Sequence, residues 1–256
     1  MFKYMQNWLN SRVIRNSTII QSTWDKAFSQ MPLIHNLSLE DKNRLIYLAI
    51  LFLDKKKIQG AHGLVVTEDM QVKVALQACL LILKFDINEY SGWTLIIMYP
   101  SGFITKQTII DEYGIAHNVQ SDLAGEAWLR GPVILAWDEV KNASIIDGHN
   151  LVVHEFAHKL DMQNGVANGY PPLHADMSPR QWANVFSAGY DDFKLKCESH
   201  KNIAIDCYGA SSPAEFFAVM SEVFFERPNI IIQYYPDVYE ELRKYYKQDT
   251  LARFID

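Results

Sequence analysis

Cysteine is scarce in this sequence of 256 residues, and Cys79, Cys197 and Cys207 are widely spaced, with no C-x-x-C pair. Three cysteines at this spacing predict neither a disulfide framework nor a cysteine zinc site, so we expect reduced thiols. An unbroken apolar run of about 18 residues, which a membrane span needs, is also missing. The N-terminus carries scattered charges and amides where a secretion signal needs an apolar core. We therefore expect a soluble cytoplasmic protein.

A surplus of basic residues is missing as well. The chain has 24 Lys and Arg against 30 Asp and Glu, for a net charge of -6. The one compact basic run, Lys55 to Lys57, lies at the end of a predicted helix, where lysines interact favourably with the helix dipole. We therefore expect no nucleic-acid partner.

Repeats, low-complexity tracts and Ser/Gly-rich linkers are absent, so no composition change marks a domain boundary. Helical patterns come first, followed by the strand-like "WTLIIMYPSGFIT" and "GPVILAW", and helical patterns return in the remaining chain. Hydrophobic residues make up 49% of the sequence, enough for a sizeable core. The chain is predicted to form one compact α+β unit with two lobes.

Two histidines and two acidic residues stand in the otherwise apolar stretch "NLVVHEFAHKLD", residues 150–161. Asn150 can cap a helix, which places His154 and His158 one turn apart on one face, within reach of a single zinc ion. Glu155 points to the side of that face, where a carboxylate can accept a proton from a zinc-activated water. Chance would produce this His-acid-x-x-His spacing only about 0.03 times in a chain of this composition. The motif therefore predicts a metal site.

A catalytic zinc needs a third protein ligand and one open position. The His-x-x-Gly-x-x-His continuation of one zinc-peptidase group is absent, because Asp161 replaces its glycine and Asn164 its histidine. The third ligand must therefore lie elsewhere, and the downstream candidates are His174, Glu198, His200, Glu215 and Glu222.

The segment Tyr208–Pro228 contains two of these candidates. Ser212 is a predicted helix cap, and Glu215 and Glu222 then lie two turns apart on a largely apolar face. Glu215 has a competing interpretation, because Ser212-x-x-Glu215 is also a capping box in which the acid accepts from a backbone amide. For Glu222 we favour an ion pair or a hydrogen bond to a ligand histidine over direct coordination.

Four stretches together, "VVHEFAHKLDMQNG", "DCYGASSPAEFFAVMSEVFFE", "ALQACLLIL" and "LAGEAWLRGPVILAWDEV", closely resemble the Mlc titration factor A family of bacterial zinc peptidases. The resemblance runs from about Leu37 to Pro236, and residues 1–36 match only loosely. We therefore expect a variable N-terminal segment at 1–36 and a single metallopeptidase domain at 37–256. The implied fold is mainly helical and zincin-like, with a small mixed sheet and the HExxH helix beside an edge strand.

The resemblance implies roles for individual residues. His154, His158 and Glu215 become ligands of one Zn²⁺, Glu155 the general base, and Tyr208 a donor to the transition-state oxyanion. The family is similar to the catalytic domain of anthrax lethal factor, in which a tyrosine precedes the glutamate ligand by seven residues, the spacing of Tyr208 and Glu215. Two further acids are predicted to support the site: Glu222, and Asp161 either as the partner of a ligand ring or as a solvated acid at the helix end.

Two functions follow as hypotheses. The first is a zinc-dependent peptidase in which "GPVILAW" pairs with an extended peptide. The family resemblance implies that it is of the aminopeptidase type and that it also binds a transcriptional repressor of sugar uptake. The second is a non-catalytic regulatory protein that sequesters a transcription factor and keeps its zinc structurally. The intact Glu155 favours the enzyme, because structural zinc needs no base.

Overall fold

The computed structural model describes residues 2–110, 116–123, 125–127, 131–199 and 204–254. Within these ranges the helices are α1 Phe2–Asn16, α2 Gln21–Gln30, α3 Leu39–Lys55, α4 Glu68–Leu81, α5 Trp137–Val140, α6 Leu151–Asp161, α7 Pro179–Glu198, α8 Pro213–Glu226, α9 Pro228–Tyr234 and α10 Pro236–Tyr246. The strands are β1 Lys57–Gly60, β2 Leu95–Tyr99, β3 Phe103–Ile110, β4 Ala116–Leu123, β5 Gly125–Ala127 and β6 Val133–Ala136. The predicted α+β class, mainly helical with a small sheet, is confirmed, whereas the zincin-like assignment stays a prediction.

Side-chain caps explain where several helices begin. Ser38 accepts a hydrogen bond from the backbone N–H of Asp41 at the start of α3, and Thr67 accepts one at the start of α4. Asn150 and Ser212 do the same for α6 and α8. Each cap satisfies a backbone donor that the first helical turn leaves unpaired. The sequence therefore sets the beginnings of both helices that carry the candidate metal ligands.

The main sheet has the strand order β1-β2-β6-β5. Strands β1, β2 and β6 run parallel, and β5 pairs with β6 in the antiparallel direction. Strands β3 and β4 form a separate antiparallel pair. Among the described strands, β5 lies at an edge of the main sheet and contacts α6.

The prediction that "GPVILAW" pairs with a substrate is wrong. This stretch contains β6, which lies between β2 and β5 and has hydrogen-bonded neighbours on both sides. Its four residues are all buried, and all are apolar, as is typical of a strand covered on both faces. An apolar run therefore indicates a central strand here, and β6 has no free edge for a peptide.

Helix α8 is the centre of the helical lobe. It is apolar around most of its circumference, and Phe216, Phe217, Phe224 and Phe225 are all fully buried. It packs against α6 on one side and against α7, α9 and α10 on others, while α6 also contacts α4. A helix that is apolar all round needs such cover on every face. The candidate metal ligands therefore lie on two helices that the core holds in fixed positions.

The N-terminal segment contacts the rest of the chain through α1 against α3 and α2 against α4. Trp24 and Ala27 of α2 are buried in the common core. The division at residue 36 stays a prediction. No helix in the described part of the chain is long and apolar enough to cross a membrane.

The basic run at Lys55–Lys57 is only partly explained by the helix dipole. Lys55 ends α3, as predicted, but Lys56 is buried and its Nζ donates to the backbone carbonyls of Tyr90 and Trp93. Its Nζ also lies 3.7 Å from the centre of the Trp93 ring. Burial, together with repulsion from Lys159, lowers the pKa of Lys56 to about 7. Lys56 is thus an interior residue rather than part of a basic surface.

Candidate metal centre

Helix α6 presents the two histidines of the motif on one face, as their spacing predicts. The Nε2 atoms of His154 and His158 are 3.2 Å apart, and the ring centroids are 4.8 Å apart. Both side chains are largely buried between α6 and α8. Two imidazole nitrogens therefore converge on one point.

Glu215 reaches the same point from the first turn of α8. Its Oε2 lies 3.0 Å from Nε2 of His154 and 3.3 Å from Nε2 of His158. The Ser212 hydroxyl accepts a hydrogen bond from the backbone N–H of Glu215, so Ser212 does cap the helix. The Glu215 carboxylate, however, faces the histidines instead of completing a capping box. The structure thus places Glu215 where a third ligand would lie.

These three residues fit a metal ion by the chemistry of their donors. The ligand atoms of His154, His158 and Glu215 all lie within 4.8 Å of one another. Two imidazole nitrogens and one carboxylate oxygen are the donor set of many catalytic zinc sites, which keep the fourth position open for water. Within the described part of the chain, the cluster supplies three such donors and thus leaves a fourth position to another group.

The electrostatics of the cluster favour a cation at its centre. Burial disfavours the charged form of His154, but its hydrogen bonds to Glu215 and Glu222 outweigh burial and raise its pKa well above the ordinary value. Burial also opposes the Glu215 carboxylate, but the two histidines lower its pKa to about 2. The two carboxylates that face the histidine pair are stabilised by positive charge between them, which either protons or a metal ion can supply.

Glu222 supports His154 from behind, as the sequence analysis favoured. Its Oε1 lies 2.8 Å from Nδ1 of His154, and its Oε2 accepts a hydrogen bond from the backbone N–H of Asn150. A carboxylate at Nδ1 fixes the ring orientation and leaves Nε2 directed at the metal position. The imidazole ring of His154 lies between Glu222 and the point where the two Nε2 atoms converge. Glu222 therefore does not reach that point.

Glu226 is a supporting residue that the sequence analysis missed. It is 1% exposed, and its carboxylate accepts hydrogen bonds from the backbone N–H of Gly148 and the side chain of Asn150. Burial raises its pKa to about 7. Its position four residues after Glu222, on the same helix face, was the available signal. Glu222 and Glu226 together fasten the start of α6 to α8.

Glu155 lies beside the cluster and is 4% exposed. Its Oε2 is buried and has no hydrogen-bond partner among the described residues. Burial raises the pKa of its carboxyl to about 7, although the two neighbouring histidines act in the opposite direction. A carboxylate with a free oxygen beside a metal position is the arrangement that a general base needs.

Tyr208 also lies at the cluster. It belongs to a short 3-10 helix at Cys207–Ala210 that precedes α8, and its ring centroid is 5.9 Å from that of His154. The side chain is 49% exposed, and burial of the remainder raises the pKa of its hydroxyl to about 12. Tyr208 is therefore protonated at neutral pH and can donate a hydrogen bond.

Asp161 takes neither of its two predicted roles. It is fully buried, and its carboxylate accepts hydrogen bonds from the backbone N–H groups of Asn168, Gly169 and Tyr170. Asp161 does not orient a ligand ring, because Nδ1 of His154 lies against Glu222 and Nδ1 of His158 has no hydrogen-bond partner among the described residues. The reason is that α6 ends at Asp161 and the chain folds back, so three amides face the carboxylate. Asp161 anchors this loop.

The remaining ligand candidates lie away from the cluster or outside the described residues. Nε2 of His174 lies 2.7 Å from the carbonyl oxygen of Tyr245, and the His174 ring stacks on the Tyr245 ring. Glu198 is exposed at the end of α7. His200 lies outside the described residues. Of the candidates that the structure describes, Glu215 alone joins the two histidines.

The expectation of three reduced cysteines is wrong for two of them. Cys197 near the end of α7 and Cys207 form a disulfide, and Cys79 is a buried free thiol. Cysteines ten residues apart match no motif used in the sequence analysis, and the two residues meet only in the folded chain. The disulfide joins α7 to the short helix that carries Tyr208.

Comparison with known proteins identifies the family of this chain. The model of the glucose-regulated metallo-peptidase M90 family matches residues 5–247, which include most of the N-terminal segment. A protein named Mlc titration factor A from Serratia proteamaculans is 35% identical over 234 residues, covering 90% of this chain and 88% of the relative. One of the same name from Yersinia pestis is 34% identical over 233 residues, covering 90% and 86%.

These matches confirm the resemblance to the Mlc titration factor A family, whereas the likeness to anthrax lethal factor stays a prediction. The family model covers nearly the whole chain, including both helices that carry the cluster. On these grounds the chain belongs to the glucose-regulated metallo-peptidase M90 family.

Proposed function

We propose that this protein is a zinc-dependent peptidase that hydrolyses peptide bonds with Glu155 as general base. The observation that carries the proposal is the convergence of His154, His158 and Glu215 beside a buried carboxylate that has a free oxygen. The three residues would hold the zinc ion. Its identity as zinc rests on the donor set, since two histidines and a glutamate suit zinc.

The chain's own residues divide the remaining chemistry among them. When bound, zinc supplies a Lewis acid that activates water and polarises a carbonyl group. Glu155 accepts the proton of the attacking water and delivers it to the leaving amine. The Tyr208 hydroxyl donates a hydrogen bond to the carbonyl oxygen as negative charge develops on it. Glu222 holds the His154 ring in the orientation that this arrangement needs.

A second candidate function is binding of a transcriptional repressor. The relatives are named Mlc titration factor A, which suggests a protein partner for them. In that case the metal would be structural and the protein would act by sequestering its partner. Structural zinc sites are closed by four protein ligands, however, and a three-residue cluster beside Glu155 favours catalysis. The two functions are compatible in one chain.

A substrate panel tests the peptidase function and its subtype. The zinc-loaded protein is assayed with chromogenic aminoacyl and peptide substrates, each with a free and with an acetylated N-terminus, before and after treatment with a chelator. We expect hydrolysis that the chelator abolishes and zinc restores, and an aminopeptidase predicts that acetylation prevents cleavage. Chelator-insensitive turnover would indicate a contaminant, and no turnover of any substrate would leave the repressor-binding function.

A pair of substitutions distinguishes the third ligand from its supporting acid. Glu215→Gln should lose zinc and activity while the fold survives, because it removes a direct ligand. Glu222→Gln should weaken zinc binding by only about 10 to 100-fold, the usual cost of a group that orients a ligand. Zinc content after dialysis and thermal unfolding provide the measurement.

Two outcomes of this comparison would contradict the assignment. If Glu215 served only as a cap, Glu215→Gln would retain zinc and lose about 1 kcal/mol of unfolding free energy. If Glu222→Gln lost more zinc than Glu215→Gln, the third ligand would be Glu222.

A further inference from the structure

The orientation of Tyr208 depends on the backbone that carries it. Its hydroxyl makes no hydrogen bond with any residue that the structure describes, and about half of the side chain is exposed. The ring contacts His154, with 5.9 Å between the two centroids. A phenol whose hydroxyl has no hydrogen bond of its own is oriented by its backbone and by the packing of its ring. Groups that fix this backbone therefore decide where the hydroxyl lies.

Asp206 fixes the backbone at Tyr208. Its Oδ1 accepts a hydrogen bond of 2.9 Å from the backbone N–H of Tyr208, and its carbonyl oxygen accepts one from Gly209. A side chain that accepts from the amide two residues later forms an Asx turn, which sets the local chain direction. The carboxylate of Asp206 thus begins the short helix of Tyr208.

His149 holds the other oxygen of the same carboxylate. Its Nε2 lies 3.3 Å from Oδ2 of Asp206. His149 directly precedes Asn150, the residue that caps α6 and whose backbone N–H donates to Glu222. The pair therefore connects the beginning of the histidine-bearing helix to the turn of Tyr208, across a gap of 57 residues in sequence.

Charge favours this contact at neutral pH. The hydrogen bond to Asp206 raises the pKa of His149 to about 9, against a smaller opposing effect of burial. The acidic groups that face His149 are Asp206 before the short helix, Asp147 in its own loop and Glu222 on α8. His149 is 59% exposed in its side chain, and an exposed ion pair contributes little to global stability. Loss of the pair should therefore affect local geometry more than folding.

We propose that Asp206 and His149 are positioning residues that hold Tyr208 beside the metal cluster, with its hydroxyl directed at the carbonyl oxygen of a bound peptide. The catalytic consequence rests on the proposed peptidase function. The placement of the Tyr208 ring does not, and it is measurable without any substrate.

Fluorine NMR measures that placement directly. The full chain carries 3-fluorotyrosine at position 208 alone, is loaded with zinc and is kept oxidised so that the Cys197–Cys207 disulfide is the same in every sample. We expect Asp206→Asn and His149→Gln to shift or broaden the single resonance of the parent protein. Asp147→Asn is the matched control, because it removes a negative charge beside His149 but keeps a side-chain oxygen that can accept the backbone N–H of His149. Its resonance should stay at the parent position.

Two results of the NMR experiment would overturn the proposal. An unchanged resonance in both Asp206→Asn and His149→Gln would mean that the disulfide or the packing of the turn suffices to place Tyr208. An equal shift in Asp147→Asn would mean that the resonance responds only to nearby charge. Either result stands whether or not the protein hydrolyses peptides.

A double-mutant cycle tests the catalytic consequence. Asp206→Asn and His149→Gln should each lower kcat by about tenfold to a hundredfold with little change in KM, because a misplaced donor loses its contact in the transition state. Zinc content should remain that of the parent. In a Tyr208→Phe background, where the donor is already gone, the same changes should have almost no further effect. Fully multiplicative losses would show that Asp206 and His149 act independently of Tyr208 and would refute the positioning role.

Discussion

Glu155→Gln is expected to keep its zinc and to lose peptide hydrolysis by at least about a hundredfold, the scale of a general-base contribution. The substitution preserves the shape of the side chain and removes its ability to accept a proton. Glu155 is nearly fully buried, but it is not among the three residues whose ligand atoms converge. Hydrolysis rates of the zinc-loaded proteins, with zinc measured in the same samples, provide the test.

The matched control for this substitution is Glu240→Gln, an exposed acid on α10 that pairs with Arg243. It makes the same chemical change at the surface and should leave kcat and zinc content at their parent values. Parent-level hydrolysis in Glu155→Gln, free of contaminating peptidase, would refute the mechanism and favour the binding protein. Loss of zinc from Glu155→Gln would instead identify Glu155 as a ligand.

The other large effect is expected from the histidines themselves. His154→Ala and His158→Ala should each reduce bound zinc from about one per chain to nearly none after dialysis, and abolish hydrolysis. Each change removes one of three protein donors, which should weaken binding by more than the 10 to 100-fold typical of a supporting residue. Metal analysis of the dialysed proteins checks this result.

His35→Ala is the matched control, because His35 is exposed and belongs to another part of the chain. Its zinc content should equal that of the parent. Undiminished zinc in both His154→Ala and His158→Ala would contradict the site. Circular dichroism of each variant ensures that a loss of zinc is not a loss of fold.

The pairing of the two histidines on α6 could be predicted because it is local. One capping residue, Asn150, begins the helix, and the regular pitch then brings His154 and His158 to one face without help from the remaining chain. The same is true of the Ser212 cap on α8. Mainly helical content with a small sheet also followed from the periodicity of apolar residues.

The third donor could not be derived from its local pattern alone. Ser212-x-x-Glu215 satisfies the capping box and the ligand interpretation equally well, and only family resemblance favoured the ligand. Oε2 of Glu215 meets the histidines because α8 packs on α6, which brings together residues 61 apart in sequence. Asp161 and β6 were assigned wrongly for the same reason: their partners are set by the path of the chain and the order of the strands.

The sequence by itself determined the two capped helices, the paired histidines with the adjacent Glu155, and the apolar character that buries α8. Tertiary structure alone decided that Glu215 turns to the histidines, that Glu222 and Glu226 fasten α6 to α8, that Cys197 meets Cys207, and that His149 reaches Asp206. Helical spacing fixes neighbours within a turn or two, whereas these contacts join residues 10 to 78 positions apart. Such contacts depend on how the elements pack, which no local pattern of residues specifies.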